Sequence, residues 1–290
     1  MVKFSRLTFL FLIFTFTLNT VLAQKKRIAK LPKELEEISG LAFLNDSVLV
    51  THTDSGGKPI LYFLNLEGKE IHRVQLLGAT NVDWEDITFD GKGYLYIGDI
   101  GNNNNARKDL CIYKVNSKNI LKKDSVKSEK ISFTYTEQKT FPESKPDRHF
   151  DAEGLAFLND TLYLFTKNRT EPFDGKCFGY KIPTKVGTYK LTKQFELFLG
   201  KDGWFKDSAT AVDIRDDKCY ILTYNRLMIY TIEDGKFKFL KHILLTPLSQ
   251  IEAVAVNSKG KVYIADEKQK LLGGANLYKV NTNHKKSKKK

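Results

Sequence analysis

The sequence is poor in the residues that stabilise disulfide-rich and zinc-bound folds. Three cysteines occur among 290 residues, with no C-x-x-C pair, so at most one disulfide can form and no cysteine-based zinc motif is present. Cys111 and Cys219 each lie in an apolar run typical of a strand. We interpret both as small buried hydrophobic residues and do not expect catalysis by a thiol.

Long apolar runs are lacking after the N-terminus. Residues 7–18 form the one such run, which follows Lys3 and Arg6 and precedes V-L-A ending at Ala23. This order is typical of a secretory signal with its cleavage site. The run is short for a membrane helix, which needs about 20 apolar residues. We predict a signal peptide at 1–23 and a periplasmic or extracellular product without a membrane span.

Helical periodicity is nearly absent, and a strand repeat takes its place. Five times a short apolar strand is followed by a second strand that ends in Thr or Asp, and the interval between the two polar residues is always 13 or 14. The first strands begin at Ser39, Glu85, Glu153, Thr210 and Glu252, and the second strands end at Thr53, Asp99, Thr166, Thr223 and Asp266. Such a regular period predicts an all-β fold, a five-bladed β-propeller.

The repeat also predicts how the ring closes. The residues before Ser39 and those after Glu252 together make about one repeat, so we expect Lys26–Leu31 to pair with the strand containing Tyr278 and to leave no open edge. The long interval between Glu85 and Glu153 allows six blades as the alternative. We predict one domain at residues 24–283.

The excess of basic residues is concentrated near the C-terminus. The net charge is +13, and five lysines lie within residues 285–290. A charged segment without apolar residues has nothing to bury, so we predict a disordered basic tail at 284–290. Aromatic residues do not alternate with basic ones as a nucleic-acid platform requires, and we expect no nucleic-acid partner. We expect a monomer.

Equivalent positions of a propeller repeat meet around one central channel. Five of the ten polar positions are carboxylates, namely Glu85, Asp99, Glu153, Glu252 and Asp266. Crowded carboxylates raise one another's pKa unless a cation offsets their charge, and Ca²⁺ prefers oxygen ligands. We therefore interpret these five as candidate metal ligands, with Ca²⁺ as the cofactor. The alternative is that each glutamate bonds to the backbone of the next blade.

The loops at the same end of the fold carry further polar residues. We predict that they bind a ligand, and the candidates are His52, Asp54, Arg107, Lys167, Arg169 and Arg226. A mouth with acidic and basic groups suits an anionic small molecule or an acidic glycan, whereas mutual ion pairing needs no ligand. His149 and Glu153 are candidate catalytic residues for proton transfer. No G-x-S-x-G nucleophile turn occurs.

Several segments together resemble a known group of proteins. They are N-V-D-W-E-D-I with G-D-I-G-N-N, H-F-D-A-E-G-L-A-F with L-Y-L-F-T-K-N-R, and I-E-A-V-A-V. They resemble a group of uncharacterised exported bacterial β-propellers, which is similar to the SdiA-regulated and esterase-like phytase propeller families. The resemblance covers most of the chain and implies a propeller fold. Asn102 stands where the group often has Asp, which lowers the charge of that loop.

Two functions are compatible with these patterns. The first is an exported binding module whose acidic, calcium-binding central mouth holds a ligand or a protein partner. The alternative is a metal-assisted hydrolase of ester, lactone or phosphate-ester bonds, in which the carboxylates hold the ion. A propeller fold by itself does not decide between them.

Overall fold

The structure, a computed structural model, describes residues 25–271 and 273–282, and strands dominate this part of the chain. The predicted signal peptide at 1–23 and the predicted basic tail at 284–290 lie outside the described residues. The helical segments described are α1 (Trp204–Asp207) and three 3-10 turns at Lys33–Leu35, Ile120–Lys122 and Lys145–Asp147.

The described strands form five antiparallel sets of four, which we call units 1 to 5. Strand β1 (Lys25–Lys30) belongs to the last unit. Unit 1 contains β2 (Ile38–Asn45), β3 (Val48–Thr53), β4 (Ile60–Asn65) and β5 (Glu70–Leu77). Unit 2 contains β6 (Trp84–Phe89), β7 (Tyr94–Asp99), β8 (Cys111–Asn116) and β9 (Ser125–Tyr135).

Unit 3 contains β10 (Asp151–Leu158), β11 (Thr161–Lys167), β12 (Lys176–Pro183) and β14 (Phe195–Phe198), while β13 (Gly187–Leu191) pairs in parallel with β9. Unit 4 contains β15 (Ala211–Arg215), β16 (Lys218–Leu222), β17 (Arg226–Glu233) and β18 (Lys236–Leu244). Unit 5 contains β19 (Ile251–Val256), β20 (Val262–Asp266), β21 (Asn276–Val280) and β1.

The first strands of the units form a ring. Each of β2, β6, β10 and β15 contacts the first strand of the next unit, and β19 contacts β2. Strand β1 pairs antiparallel with β21, with Arg27 opposite Tyr278, which confirms the predicted closure by the N-terminal strand. The chain is therefore an all-β propeller whose terminal strands share one sheet.

The apolar core is divided among the interfaces between neighbouring units. Successive side chains of a strand point to opposite faces, so Ile97 packs against unit 1 while the adjacent Tyr96 packs against unit 3. Equivalent clusters lie between units 3 and 4, 4 and 5, and 5 and 1. Cys111, Cys177 and Cys219 are free and buried in these layers, as expected for small hydrophobic residues.

Candidate functional site

A small polar cavity of about 210 Å³ lies where loops of all five units meet. Its lining residues are Asp54, Glu85, Asn103, Glu153, Lys167, Arg169, Trp204, Tyr224, Gln250 and Glu252. The structure thus brings together Glu85, Glu153 and Glu252, the three glutamates that occupy equivalent repeat positions. It also brings Asp54, Lys167 and Arg169 to the same cavity.

A β-bulge directs each of these glutamates into the cavity. In the pairing of β6 with β7, Trp84 and Asp86 face consecutive residues of β7, and Glu85 between them faces none. Glu153 and Glu252 are skipped in the same way in units 3 and 5. A bulged residue leaves the ladder and its side chain is re-aimed. Three bulges at equivalent positions therefore converge three carboxylates on one point.

Seven carboxylates form three overlapping groups in and beside this cavity, and within each group the oxygens lie within 4.8 Å of one another. The Glu85 triad is Asp54, Asp83 and Glu85; the Glu153 triad is Glu85, Asp151 and Glu153; the Glu267 triad is Asp54, Glu252 and Glu267. Ca²⁺–oxygen distances are about 2.3–2.6 Å, so ligands of one ion are at most about 5 Å apart. The spacing of each triad fits a shared cation.

Basic side chains pair with two members of the Glu153 triad, Glu153 and Asp151. Lys167 Nζ lies 2.9 Å from Glu153 Oε2, and Arg169 Nε lies 2.5 Å from Asp151 Oδ2. A second nitrogen of Arg169 is 3.3 Å from Glu153 Oε1. Although burial opposes it, Glu153 and its acidic neighbours raise the pKa of Lys167 well above its ordinary value. Lys167, Arg169, Asp151 and Glu153 thus form a network of paired acidic and basic groups.

The Glu85 triad has no such partner. Glu85 is 5% exposed, and its carboxylate makes no hydrogen bond or ion pair with any described residue, although its main-chain oxygen accepts one from Ser39 Oγ. Burial, followed by the charges of Glu153 and Asp54, raises the pKa of Glu85 well above its ordinary value. A buried carboxylate without a partner is costly. The site therefore lacks positive charge at this position.

The other two members of the triad show the same shortage of positive charge. Burial and the nearby Asp151 raise the pKa of Asp83 to about 6, and burial and the nearby Glu252 raise that of Asp54 to about 7. Gly101 approaches the triad so closely that a Cβ atom there would collide with Glu85 and Asp83. The backbone of the G-D-I-G loop thus packs directly on the carboxylates.

Aromatic and amide groups complete the cavity wall. Tyr224 donates a 2.8 Å hydrogen bond from its hydroxyl to Glu252 Oε1. The Trp204 ring centre is 5.4 Å from Lys167 Nζ and 5.1 Å from the Arg169 guanidinium, within the range of cation–π attraction. Gln250 donates to Glu252 and to Glu267. The sequence analysis did not predict Trp204, Tyr224 or Gln250 as part of the site. Of the three, only Tyr224 lies in a loop that the repeat marked, T-Y-N-R.

Asp99 and Asp266 do not join the triads, in contrast to our interpretation of them as metal ligands. Arg107 donates to Asp99 at 2.8 Å, and the main-chain N–H of Asp83 donates to it at 3.1 Å. Asp266 accepts hydrogen bonds from the Asn276 N–H at 2.9 Å and the Tyr278 hydroxyl at 2.8 Å. Because both carboxylates are satisfied locally, they hold loops and strands in place. Arg107 is likewise engaged and does not line the cavity.

The structure places the two candidate histidines in packed surroundings. His52 has no exposed surface and its ring lies edge-on to Trp84 at 5.4 Å. His149 stacks on Phe178 at 4.1 Å, with Nε2 3.4 Å from Asp174 Oδ2. Burial lowers the pKa of both, to about 4 for His52. Neither residue lines the cavity.

Arg226 contacts the helix α1 and does not line the cavity. It forms an ion pair with Asp207 and donates to the Lys206 main-chain oxygen at 3.1 Å. Both residues belong to the helix α1 that carries Trp204. We predicted that Arg226 contacts a ligand; the structure places it outside the cavity lining, where it anchors the helix.

Asp86, which the sequence pattern did not single out, joins three units at the axis. It is fully buried, and its Oδ2 accepts the N–H groups of Leu155 at 2.9 Å and Val212 at 3.1 Å. The Thr210 hydroxyl similarly donates to the Ile251 oxygen at 2.8 Å. Our alternative was that each glutamate bonds to the backbone of the next blade. In the described residues the hydroxyls of Ser39 and Thr210 make such bonds instead.

Comparison with known proteins shows the fold. No protein-family profile and no curated protein matches the chain. Among solved structures, glutaminyl cyclase of Myxococcus xanthus has a TM-score of 0.53 at 13% identity, with 89% of this chain and 95% of that chain covered. Aldose sugar dehydrogenase of Streptomyces coelicolor, in its PQQ-bound form, has a TM-score of 0.52 at 9% identity, with 88% of this chain and 96% of that chain covered. A luciferin-regenerating enzyme has a TM-score of 0.51 at 12% identity, with 89% of this chain and 94% of that chain covered.

These likenesses are those of β-propeller proteins and agree with the ring of strands described above. Within the described residues, no helix has the length and apolar character to cross a membrane.

Proposed function

We propose that this protein binds a divalent cation, with Ca²⁺ as the candidate, at the Glu85 triad. The observation that carries the proposal is the carboxylate of Glu85, which lines the cavity at 5% exposure and makes no hydrogen bond or ion pair with any described residue. A cation bound to Asp54, Asp83 and Glu85 would supply the missing charge. Glu153 and Asp151 of the adjacent triad need no ion, because Lys167 and Arg169 already pair with them.

The chemistry of the ligand atoms favours a hard cation. The Glu85 triad offers carboxylate oxygens alone, and neither histidine nor cysteine belongs to any of the three triads. Zinc sites in proteins usually include nitrogen or sulfur ligands, whereas Ca²⁺ takes six to eight oxygens. Water or ligand oxygens would complete the coordination, since three carboxylates supply only part of it.

The ion would serve to hold a ligand or a partner at the mouth. Lys167 and Arg169 place positive charge beside the triad, and Trp204 offers an aromatic wall. An oxygen of an anionic small molecule, an acidic glycan or a protein carboxylate could contact both the ion and Arg169. The resemblance to a group of uncharacterised exported bacterial propellers and the signal-like residues 1–23 support export.

Calorimetry tests this proposal directly. We expect Ca²⁺ to bind the wild-type protein at pH 7.5 and to raise its unfolding midpoint, by a stabilisation of about 2.7 kcal/mol at a hundredfold excess over Kd. Glu85→Gln should abolish the heat of binding at this position. Glu171→Gln makes the same chemical change in an exposed ion pair and should bind as the wild type does. If Ca²⁺, Mg²⁺ and Mn²⁺ all give no heat and no midpoint shift, the cation site does not exist.

A second candidate function is hydrolysis of ester, lactone or phosphate-ester bonds. It is favoured by the position of Glu85, which belongs both to the proposed cation site and to the triad paired with Arg169. A cation there could polarise a carbonyl or phosphoryl oxygen and supply bound water, while the basic residues stabilise developing negative charge. Turnover of chromogenic esters or phosphate esters that needs Ca²⁺ and is lost in Glu85→Gln would support it. Cation binding without turnover would instead support the function of a binding module.

A further inference from the structure

Glu267 belongs to the site but does not occupy one of the repeated polar positions. It follows Asp266 at the end of β20, and the two neighbours diverge: Asp266 bonds within its own sheet, whereas Glu267 reaches Asp54 and Glu252. Consecutive residues of an extended chain point in opposite directions. The main-chain N–H of Glu267 donates to the Gln250 oxygen at 2.9 Å and fixes this turn.

One oxygen of Glu267 has no partner. Gln250 donates to Oε2 at 2.6 Å, while Oε1 is buried and accepts no hydrogen bond. The residue is 5% exposed. Within the Glu267 triad, oxygens of Asp54, Glu252 and Glu267 lie within 4.8 Å of one another. An unsatisfied buried carboxylate oxygen that faces two further carboxylates marks a place where positive charge is missing.

One basic side chain reaches this triad, and it lies closer to another carboxylate. Lys167 Nζ is 3.9 Å from Glu252 Oε1 but 2.9 Å from Glu153 Oε2, and no ion pair with Glu267 is formed among the described residues. Burial and the charge of Glu252 raise the pKa of Glu267 to about 10. The triad has two ways to become neutral, a proton or a metal ion.

Charge balance across the whole site favours the metal ion. Seven carboxylates face two basic side chains, Lys167 and Arg169, which leaves an excess of five negative charges when all are ionised. One divalent cation at the Glu85 triad reduces the excess negative charge. It would contact the Glu267 triad only through Asp54, which the two triads share. A second divalent cation would bring the site close to neutrality.

We propose that Asp54, Glu252 and Glu267 form a second position for a hard divalent cation, joined to the first through Asp54. This inference rests on the proposed function, because Asp54 belongs to both triads. The result is a pair of ions bridged by one carboxylate, an arrangement that binds and orients oxygen-rich ligands in many proteins. Gln250 holds the ligand side chains Glu252 and Glu267 together by donating to both.

The number of ions per chain tests the inference. We expect the wild-type protein, stripped with chelator and titrated with Ca²⁺ alone at pH 7.5, to bind two ions. Glu267→Gln should bind one, Glu85→Gln should bind one, and Asp54→Asn should lose most binding at both positions. Glu171→Gln, at an exposed residue that belongs to none of the triads, should bind two.

Each result separates the two proposals. One ion in the wild type, unchanged by Glu267→Gln and lost in Glu85→Gln, would overturn the second position and leave the first intact. No ion at all would overturn both. The wild-type stoichiometry decides the question even if a variant fails to fold.

Discussion

Ser39 Oγ donates a 2.7 Å hydrogen bond to the main-chain oxygen of Glu85. The two residues occupy the same repeat position in neighbouring units, yet one side chain locks the ring and the other faces the cavity. The bulge at Glu85 removes its backbone from the ladder of β6 and β7, so its oxygen needs a partner from outside. The serine of unit 1 supplies that partner and leaves the glutamate side chain free for the cavity.

Removal of this hydroxyl should destabilise the ring without altering the carboxylates. We expect Ser39→Ala to lower the free energy of unfolding by about 1–3 kcal/mol, because a buried oxygen loses its donor. Ser47→Ala, at an exposed turn, is the control and should change little. Urea unfolding at pH 7.5 measures both, and equal midpoints for Ser39→Ala and the wild type would contradict the role of the lock.

Two equivalent glutamates should respond oppositely to the same substitution. Glu153→Gln leaves buried Lys167 without its nearest carboxylate, and we expect a loss of about 3 kcal/mol, since breaking one side of a buried ion pair is costly. Glu85→Gln removes a carboxylate that has no cationic partner and should leave stability unchanged or raised. Urea midpoints without divalent ions compare the two. A lower midpoint for Glu85→Gln than for Glu153→Gln would contradict this assignment of charges.

Asp213 should make stability depend on pH. Burial raises its pKa from 3.8 to about 7, opposed by hydrogen bonds from main-chain N–H groups and by Arg215. Between these values the folded protein holds a proton that the unfolded chain releases, so this group's contribution to stability falls as pH rises through the window and is lowest above pH 7.

Asp213→Asn removes that dependence. We expect the stability of the variant relative to the wild type to rise by about 2–3 kcal/mol between pH 5 and pH 8, from about 1.4 kcal/mol per pKa unit. Denaturant unfolding at the two pH values measures the difference. A constant difference would show that the folded and unfolded pKa values of Asp213 are alike.

Trp204 should report cation binding. The protein has two tryptophans; Trp84 is fully buried in the core, whereas Trp204 lines the cavity above Lys167 and Arg169. A bound cation would change the field at its ring and the position of these bases. We expect Ca²⁺ to change the tryptophan emission of the wild type and to leave that of Trp204→Phe unaltered. An equal response in both proteins would assign the signal to Trp84.

Much of the fold follows from the repeat alone. Regular strand pairs predicted a propeller because each unit must bury its faces against its neighbours. Closure by Lys26–Leu31, observed as β1 (Lys25–Lys30), was predicted because the two chain ends make about one unit between them. Glu85, Glu153 and Glu252 were expected together, since the rotation that relates the units also relates equivalent positions.

The repeat did not predict which groups form hydrogen bonds or ion pairs with the carboxylates. Asp99 and Asp266 share a repeat position with the same symmetry, but Arg107 and the pair of Asn276 and Tyr278 satisfy them. Those partners come from loops and from the next strand, where residues differ from unit to unit. Pattern reasoning therefore over-assigned metal ligands at the ends of the second strands.

The sequence by itself determined the ring of strands and the meeting of three glutamates at one end of it. Only the tertiary structure decided which carboxylates lack positive charge, because that depends on bulges and loop conformations that bring Asp54, Asp83 and Glu267 to them. Interactions between charges depend on distances of a few ångströms and on burial. Both quantities arise only when units distant in the chain pack around a common axis.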